Sequence, residues 1–158
     1  MSIERARAHL EKHGLADRIK EFEVSSATVA LAAAALGTEE ARIAKSLSFM
    51  TPDGPILIIA AGDAKIANGK YKAAFGTKAK MLTFEEVEPL IGHGVGGVCP
   101  FGVNDGVRVY LDESLRRFDI VYPAAGTSAS AVELTVSELE RAAEPVGWVD
   151  VTSVPEAV

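Results

Sequence analysis

Residues 45–61, KSLSFMTPDGPILIIAA, decide the fold. Residues 45–50 alternate in the manner of a β-strand, and residues 52–54, PDG, predict a turn. Residues 56–61 then form an uninterrupted apolar run. Because strands that are apolar on both faces are typical of the interior of a sheet, we predict a β-hairpin whose second strand is buried on both faces.

Short helices and further strands are predicted on either side of this hairpin. Two capping boxes, Thr83 with Glu86 and Thr135 with Glu138, mark the starts of helices over residues 83–90 and 135–143. Further helices are predicted over residues 2–13, 28–36 and 68–75, the last with Asn68 as its cap. Short strands are predicted over residues 19–24, 80–82, 107–111, 120–122, 131–134 and 148–151. Strands outnumber helices without strict alternation, so the sequence predicts the α+β class (mixed α/β).

The composition limits the kind of protein this is. The chain has 158 residues, 48% of them hydrophobic and 24% charged, which predicts a single soluble domain over residues 1–158. No apolar run approaches the ~20 residues that span a bilayer, and residues 1–7 lack the apolar segment of a secretory signal. The single cysteine excludes an internal disulfide and favours a reducing compartment. We therefore expect a cytoplasmic protein without membrane contact.

Charge is unevenly distributed along the chain. The formal net charge of −6 argues against general binding to DNA or other nucleic acid. Five lysines nevertheless fall within sixteen residues: Lys65, Lys70, Lys72, Lys78 and Lys80. They form either a phosphate-facing patch or an ordinary solvated face.

Residues 93–102, HGVGGVCPFG, contain four glycines and one proline. Glycine lets main-chain amides approach a ligand closely, and proline restricts the path of the chain. Such a loop is suited to donating N–H groups to an oxygen that develops negative charge. The alternative is a tight connection between two elements.

Lys45 is unusual because it begins a strand that is otherwise apolar. Its stem could cover apolar surface while the ammonium reaches water, or the ammonium could pair with a carboxylate.

These segments together resemble the YbaK/ProRS-associated domain family. The motifs are Lys45 within residues 42–47 (RIAKSL), the spacing Gly96-x-x-x-Pro100 followed by Phe101-Gly102, and the later segments at residues 125–126 and 132–134. The resemblance implies a compact, mostly antiparallel, barrel-like sheet with short helices around it. It also implies a trans-acting deacylase that hydrolyses the ester of a small mischarged amino acid on tRNA, with tRNA(Pro) as the expected tRNA.

The resemblance also implies roles for individual residues. Lys45 would hold the terminal phosphate or ribose of the tRNA acceptor end, or steady the oxyanion, and the amides of Gly96, Gly97 and Val98 would stabilise the oxyanion. The five clustered lysines would form a weak tRNA-binding surface. The implied substrate-binding residues are Cys99, Pro100, Phe101, Gly126 and Glu133, with Pro100 holding the loop and Glu133 either pairing with Lys45 or binding the amino group.

Other chemistries receive less support from the sequence. Cys99 with His93 as its base would give a covalent mechanism, but a lone cysteine is usually a small buried hydrophobic residue. His9 and His13 are spaced i, i+4 without further ligands, so we expect them to be solvent-exposed and predict no metal and no cofactor.

The expected partners are aminoacyl-tRNA, through its acceptor end, and a prolyl-tRNA synthetase. The competing hypothesis is a non-catalytic module that binds a small acyl or nucleotide ligand in the same pocket.

Overall fold

The structure is a computed structural model that describes residues 2–155. Within them the chain forms five α-helices and ten β-strands. The helices are α1 (Ser2–Glu11), α2 (Val29–Leu36), α3 (Asn68–Phe75), α4 (Phe84–Ile91) and α5 (Val136–Ala143). The strands are β1 (Ile19–Glu21), β2 (Ile43–Thr51), β3 (Gly54–Ala61), β4 (Lys65–Ile66), β5 (Arg108–Asp112), β6 (Ile120–Pro123), β7 (Ser130–Val132), β8 (Leu134–Thr135), β9 (Gly147–Val149) and β10 (Thr152–Ser153).

The predicted hairpin forms the centre of a six-stranded sheet. Its two strands, β2 and β3, pair antiparallel over eight residue pairs, from Ala44 opposite Ala61 to Thr51 opposite Gly54. The strand order is β8-β6-β2-β3-β5-β9, and two small antiparallel sheets, β1-β7 and β4-β10, complete the structure. Among residues 2–155, four of the seven strand pairings are antiparallel.

The α+β class and the curled, barrel-like sheet are therefore confirmed. The predicted single domain over residues 1–158 remains a prediction, and Met1 and residues 156–158 lie outside the described residues. None of the helices within residues 2–155 combines the length and apolar character needed to cross a bilayer.

Strand β3 has the interior position that its apolar run predicts. Residues 56–61 are all fully buried. Because successive side chains of a strand point to opposite faces, Leu57 and Ile59 join the main core, while Ile56 and Ile58 join a second cluster with Tyr71 of α3. The main core also receives Leu10 of α1 and residues of α4 and α5. The sheet thus has helices on both faces.

Local signals place most helix ends correctly. Both predicted capping boxes are present, Thr83 with Glu86 and Thr135 with Glu138, and Gly37 ends α2 in the left-handed conformation. One cap was predicted wrongly, because Ala67 occupies the N-cap of α3 and Asn68 is its first helical residue.

Two of the predicted strands are not continuous strands in the structure, and the strand predicted over residues 19–24 ends at Glu21. Residues 80–82 make only an isolated bridge, Met81 opposite Phe49. Residues 131–134 divide into β7 and β8, which pair with different strands, so Glu133 lies in the break between them.

The two histidines of α1 and its C-terminal turn lie against one carboxylate after α5. His9 Nε2 lies 3.0 Å and His13 Nε2 lies 3.5 Å from Glu144 Oε2. The expectation of solvent-exposed histidines was wrong, because their side chains are only 12% and 19% exposed.

Candidate active site

A cavity of about 220 Å³ lies where two neighbouring strands separate. Strands β2 and β6 pair in parallel only at Ile43–Tyr122 and Ala44–Pro123. Beyond Ala44, strand β6 no longer covers the edge of β2. This edge of β2 forms hydrogen bonds with residues 80–82 only from Ser48 onward. The gap between these two contacts is the cavity.

Five parts of the chain line this cavity. They are the start of α2 with the residues before it, strand β2, Met81 with Val87 of α4, the glycine-rich loop, and the segments around β6 and β7. The polar lining residues are Ser26, Thr28, Lys45, Ser46, Ser48, Tyr122 and Ser130. None of the described lining residues is an aspartate, glutamate, histidine or cysteine, so no side chain of ordinary general-base type faces the cavity.

Lys45 is the one cation in this lining. Its half-buried ammonium donates hydrogen bonds to the main-chain oxygens of Ala64 and of Gly62, the latter at 3.4 Å. Burial lowers the pKa of Lys45, opposed by the attraction of Asp63, while Lys65 lowers this pKa further. Asp63 is itself held by two hydrogen bonds from Arg117, at 2.6 and 3.1 Å. The lysine is therefore anchored at the turn after β3.

The glycine-rich loop packs tightly against the loop after β6. A Cβ on Gly97 would lie 2.5 Å from the carbonyl carbon of Gly126, and Gly96 has φ +94° with Ala27 and Ser128 close by. The Gly97 N–H donates to Gly94 O at 3.0 Å. The amides of Gly96 and Val98 form no hydrogen bond within the described part of the chain, and both residues line the cavity. They remain available to a ligand.

The other predicted substrate-binding residues of the loop lie behind it. Cys99 and Phe101 are fully buried members of the main core, and Pro100 is buried and lines a different cavity beside α1. Gly126 is also buried, with its main-chain N–H directed at the Cys99 sulfur. None of these four residues lines the cavity that contains Lys45.

Cys99 and His93 are close but poorly suited to nucleophilic catalysis. The Cys99 sulfur lies 3.6 Å from His93 Nε2, and burial raises the pKa of the thiol to about 12. His93 Nε2 donates to Phe101 O at 2.6 Å, so this nitrogen carries a proton and cannot accept one from the thiol. Burial also lowers the pKa of His93.

Glu133 contacts the site through Tyr122. The Tyr122 hydroxyl donates to Glu133 Oε1 at 3.3 Å, and burial together with this carboxylate raises the pKa of the phenol. No ion pair between Glu133 and Lys45 is present within residues 2–155. The carboxylate thus lies one side chain behind the cavity wall.

The five predicted tRNA-binding lysines are all exposed. Lys70 pairs with Asp150 at 3.1 Å, whereas the other four make no ion pair among the described residues. Lys72 and Lys78 line a shallow surface cavity beside α3, and Lys65 is close enough to Lys45 to affect its pKa.

Sequence reasoning missed the hydroxyl groups of the site. Ser46 Oγ is buried without any hydrogen-bond partner in the described structure. The available signal was the register of the hairpin, which places Ser46 and Ser48 opposite Ile59 and Leu57 in the core. Polar side chains on the core face of a strand indicate a cavity or a ligand.

Comparisons with known proteins point to one family. The sequence profile described as aminoacyl-tRNA editing domain matches residues 23–142. The uncharacterized protein YwhH of Bacillus subtilis (strain 168) is 49% identical over 152 residues, covering 96% of this chain and 97% of that protein. A solved structure of a candidate trans-editing enzyme for prolyl tRNA synthetase has a TM-score of 0.86 and 32% identity, covering 96% of this chain and 97% of that one.

A longer protein also matches. The proline–tRNA ligase of Lactiplantibacillus plantarum is 26% identical over 116 residues, which cover 73% of this chain and 20% of the ligase. This chain therefore spans about a fifth of the length of that ligase.

Proposed function

The chain belongs to the aminoacyl-tRNA editing domain family, as its motifs predicted, and from that premise we propose that it is a trans-editing aminoacyl-tRNA deacylase. Its substrate is a small amino acid attached by an ester to the wrong tRNA, with tRNA(Pro) as the preferred tRNA. The reaction is ester hydrolysis, which returns free amino acid and free tRNA.

The observation that carries this proposal is the cavity with two unused main-chain amides at its wall. Its volume of about 220 Å³ is below the ~300–1,000 Å³ typical of sites for drug-sized ligands, which suits a small aminoacyl group. The amides of Gly96 and Val98 form no bond within residues 2–155, and Lys45 supplies positive charge to the same cavity. This combination matches the needs of a substrate that develops an oxyanion.

In the proposed reaction a water oxygen attacks the carbonyl carbon of the ester. The carbonyl oxygen becomes negative and accepts hydrogen bonds from the amides of Gly96 and Val98. Loss of one such donor typically costs ~2.7–4 kcal/mol of transition-state stabilisation. The carbon–oxygen bond to the ribose then breaks, and the ribose oxygen takes up the proton that the water releases.

The proton needs no acidic or basic side chain on this route. Because the cavity lining contains no carboxylate, imidazole or thiol, we assign the transfer to the ribose hydroxyl next to the ester. The protein then acts by positioning and by stabilising charge. Gly97 is assigned a supporting role, since its amide is already bonded to Gly94 and its backbone packs on Gly126.

We assign the binding of the tRNA part of the substrate to Lys45 and the exposed lysines. We assign Lys45 to the ribose or terminal phosphate of the acceptor end, because its ammonium is fixed by two carbonyl oxygens. Lys65 lies near it, and Lys72, Lys78 and Lys80 are exposed cations without ion pairs in the described structure. They extend the positive surface toward the phosphate backbone.

The remaining predicted residues act from behind the cavity wall. Cys99 and Phe101 support the loop through the core, Pro100 restricts its path, and Gly126 provides the close contact that holds it. Glu133 orients the Tyr122 hydroxyl, which lines the cavity.

The choice of tRNA(Pro) and of a prolyl-tRNA synthetase as partner rests on the relatives. One solved relative of nearly equal length is a candidate trans-editing enzyme for prolyl tRNA synthetase, and part of a proline–tRNA ligase matches this chain. A protein with this task works where tRNA is charged, so we propose a cytoplasmic location.

One observation favours the competing hypothesis of a non-catalytic binding module. The cavity lacks a side-chain general base, so binding without turnover is chemically consistent with its lining. The same residues, Lys45 above all, would then hold a small acyl or nucleotide ligand.

The decisive experiment compares deacylation of alanyl-, cysteinyl- and seryl-tRNA(Pro) by the purified chain, with alanyl-tRNA(Ala) as the control for tRNA identity. We expect turnover of at least one tRNA(Pro) substrate and its loss in Lys45→Ala. Saturable binding of these tRNAs without turnover would support the binding module. Equal rates on alanyl-tRNA(Ala) would overturn the tRNA(Pro) assignment while leaving deacylation intact.

A further inference from the structure

The main chain of Ser46 lies at the uncovered stretch of the β2 edge. Successive residues of a strand direct their main-chain N–H and C=O groups to opposite edges. The Met50 N–H donates to Lys80 O at 2.8 Å, on the side away from β3. Ser48 O accepts the Leu82 N–H at 3.1 Å on the same side. Ser46 stands two positions before Ser48, so its main-chain groups also face away from β3 and into the gap beside the cavity.

The pairing of β2 with β3 agrees with this orientation. Met50 is opposite Pro55, which has no N–H to donate, and Ser46 is opposite Ile59. Opposite residues of an antiparallel pair alternate between those that exchange hydrogen bonds and those that do not. The pair of Met50 with Pro55 is of the second kind. The pair of Ser46 with Ile59, four positions along, is therefore of the second kind too.

No neighbouring segment takes up the main-chain groups of Ser46. Of the β2 residues that face this edge, Ala44 is paired with β6, and Ser48 and Met50 bond to residues 80–82. The pairing of β2 with β6 ends at Ala44. Within residues 2–155, Ser46 is thus the residue of this edge whose N–H and C=O have no partner.

The Ser46 hydroxyl is a further unpartnered polar group at the same place. Its Oγ is buried without a hydrogen-bond partner in the described structure, and Ser46 lines the cavity. Two other hydroxyls of the lining are already occupied, because Ser130 Oγ accepts the Ala125 N–H and Tyr122 donates to Glu133. Since buried polar atoms of native proteins nearly always have partners, the unpaired groups of Ser46 indicate a ligand.

An aminoacyl ester carries a group that matches these atoms. Its carbonyl oxygen requires donors, which the amides of Gly96 and Val98 supply. Its α-amino group, on the carbon next to that carbonyl, requires acceptors. An amine has at least two N–H donors whether it is neutral or charged, and the main-chain oxygen and Oγ of Ser46 are both acceptors. Lys45 lines the same cavity but offers no acceptor.

On the basis of the proposed deacylase function, we propose that the main-chain oxygen and Oγ of Ser46 accept hydrogen bonds from the α-amino group of the substrate. Ser46 is then a positioning residue that selects acyl groups with a free amino group. An acyl group without this amine leaves both acceptors unpaired, and sites built for a hydrogen-bonding group reject analogues that lack it.

The test measures binding, so it does not depend on turnover. Two tRNA(Pro) probes carry a non-hydrolysable amide in place of the ester, one with an alanyl group and one with a propionyl group, which has hydrogen in place of the amine. We expect the wild type to bind the alanyl probe about tenfold more tightly or better. Ser46→Ala removes Oγ and keeps the main-chain oxygen, so the ratio of the two affinities should fall by about threefold or more.

Ser48→Ala is the matched control, because Ser48 lies on the same edge and its main-chain oxygen already accepts the Leu82 N–H. It is expected to keep the wild-type ratio, and melting temperatures report whether each variant folds. The proposal would be overturned if the folded wild type showed no preference for the alanyl probe, through equal affinities or absence of binding. An unchanged ratio in folded Ser46→Ala, or an equal fall in Ser48→Ala, would also overturn it. The expected ratios without turnover of alanyl-tRNA(Pro) would support the role of Ser46 and count against the deacylase function alone.

Discussion

Gly97 and Gly126 are in backbone contact. A Cβ added to Gly97 would lie 2.5 Å from the carbonyl carbon of Gly126 and 2.6 Å from its oxygen. The contact fixes the glycine-rich loop against the loop that follows β6. Because Gly96 and Val98 flank Gly97, the contact between Gly97 and Gly126 also fixes the positions of their amides at the cavity wall.

Replacing Gly97 with alanine should therefore separate the two loops. We expect a destabilisation of about 1–3 kcal/mol, typical of overpacking, and a deacylation rate reduced by more than the stability loss explains. Gly94→Ala is the matched control in the same loop, because its Cβ would lie 3.4 Å from the Glu88 carboxylate, an ordinary contact. Urea unfolding and single-turnover deacylation measure the two effects. Equal behaviour of the two variants would contradict the close-contact argument.

Lys45→Met separates the charge of this lysine from its bulk. We expect deacylation to fall by about 10²-fold or more, because the acceptor end loses the cation that positions it. Stability should stay unchanged or rise, since burial disfavours the ammonium and lowers the pKa of Lys45. Lys20→Met, at an exposed position of β1, is the control. A deacylation rate near that of the wild type would remove Lys45 from the mechanism.

The decline of the deacylation rate at alkaline pH should reflect the loss of the Lys45 charge. Because the pKa of Lys45 is lowered, its charge is lost below the pH at which an exposed lysine, at about 10.5, would lose it. Activity that depends on the cation then declines as the pH rises from the folded-state pKa of Lys45 toward 10.5. Over the same pH range the cost in folding stability of burying the charged form disappears. Rates corrected for spontaneous hydrolysis across pH 7 to 10 would show the decline, and Lys45→Met should lack it.

Ser46→Ala tests the unpartnered hydroxyl of the cavity. Removing a buried hydroxyl without a partner should leave stability unchanged or raise it by up to about 1 kcal/mol. The deacylation rate should fall, if the substrate supplies the partner. Ser114→Ala is the contrast, because Ser114 Oγ accepts the Ala61 N–H at 3.0 Å and its loss should cost about 1 kcal/mol. Destabilisation in both variants would show that Ser46 Oγ has a hydrogen-bond partner in the protein without substrate.

The Cys99 thiol should be unreactive in the folded protein. With full burial and a thiol pKa of about 12, it should resist iodoacetamide at pH 8 and react only after denaturation. Cys99→Ala should retain turnover within a few-fold of the wild type. Intact mass spectrometry and the deacylation assay measure these outcomes. Loss of turnover in a folded Cys99→Ala variant would favour covalent catalysis over water attack.

Asp63 should make stability sensitive to acid. Hydrogen bonds from Arg117 lower the pKa of Asp63 below its usual 3.8, so the folded state favours the carboxylate. That contribution is present above the unfolded pKa and is lost as the pH falls through the folded one. Asp63→Asn should thus lower the free energy of unfolding at pH 7 by about 1 kcal/mol, and this loss should shrink as the pH falls below 3.8. Asp53→Asn, in the exposed hairpin turn, is the control. A difference that does not change with pH would contradict the ion-pair explanation.

Local patterns in the sequence were sufficient for the central hairpin and for several helix ends. Residues 56–61 are apolar without interruption, so they could only be stable between two packed layers. Thr83 and Thr135 sit three residues before glutamates that complete their capping boxes. In each case the partners are near in sequence, and periodicity or spacing encodes them. The family motifs likewise marked Lys45 and the glycine-rich loop.

The tertiary structure alone decided which of these residues share the cavity. Lys45, Gly96 and Val98 meet because β2 and β6 separate after Ala44, while Cys99 and Phe101, from the same loop, enter the core. His13 meets Glu144 across 131 positions of sequence. Such contacts depend on how sheets curl and helices pack over long distances, and no local spacing encodes them. The sequence by itself therefore determined the elements and the family, and packing determined the geometry of the proposed active site.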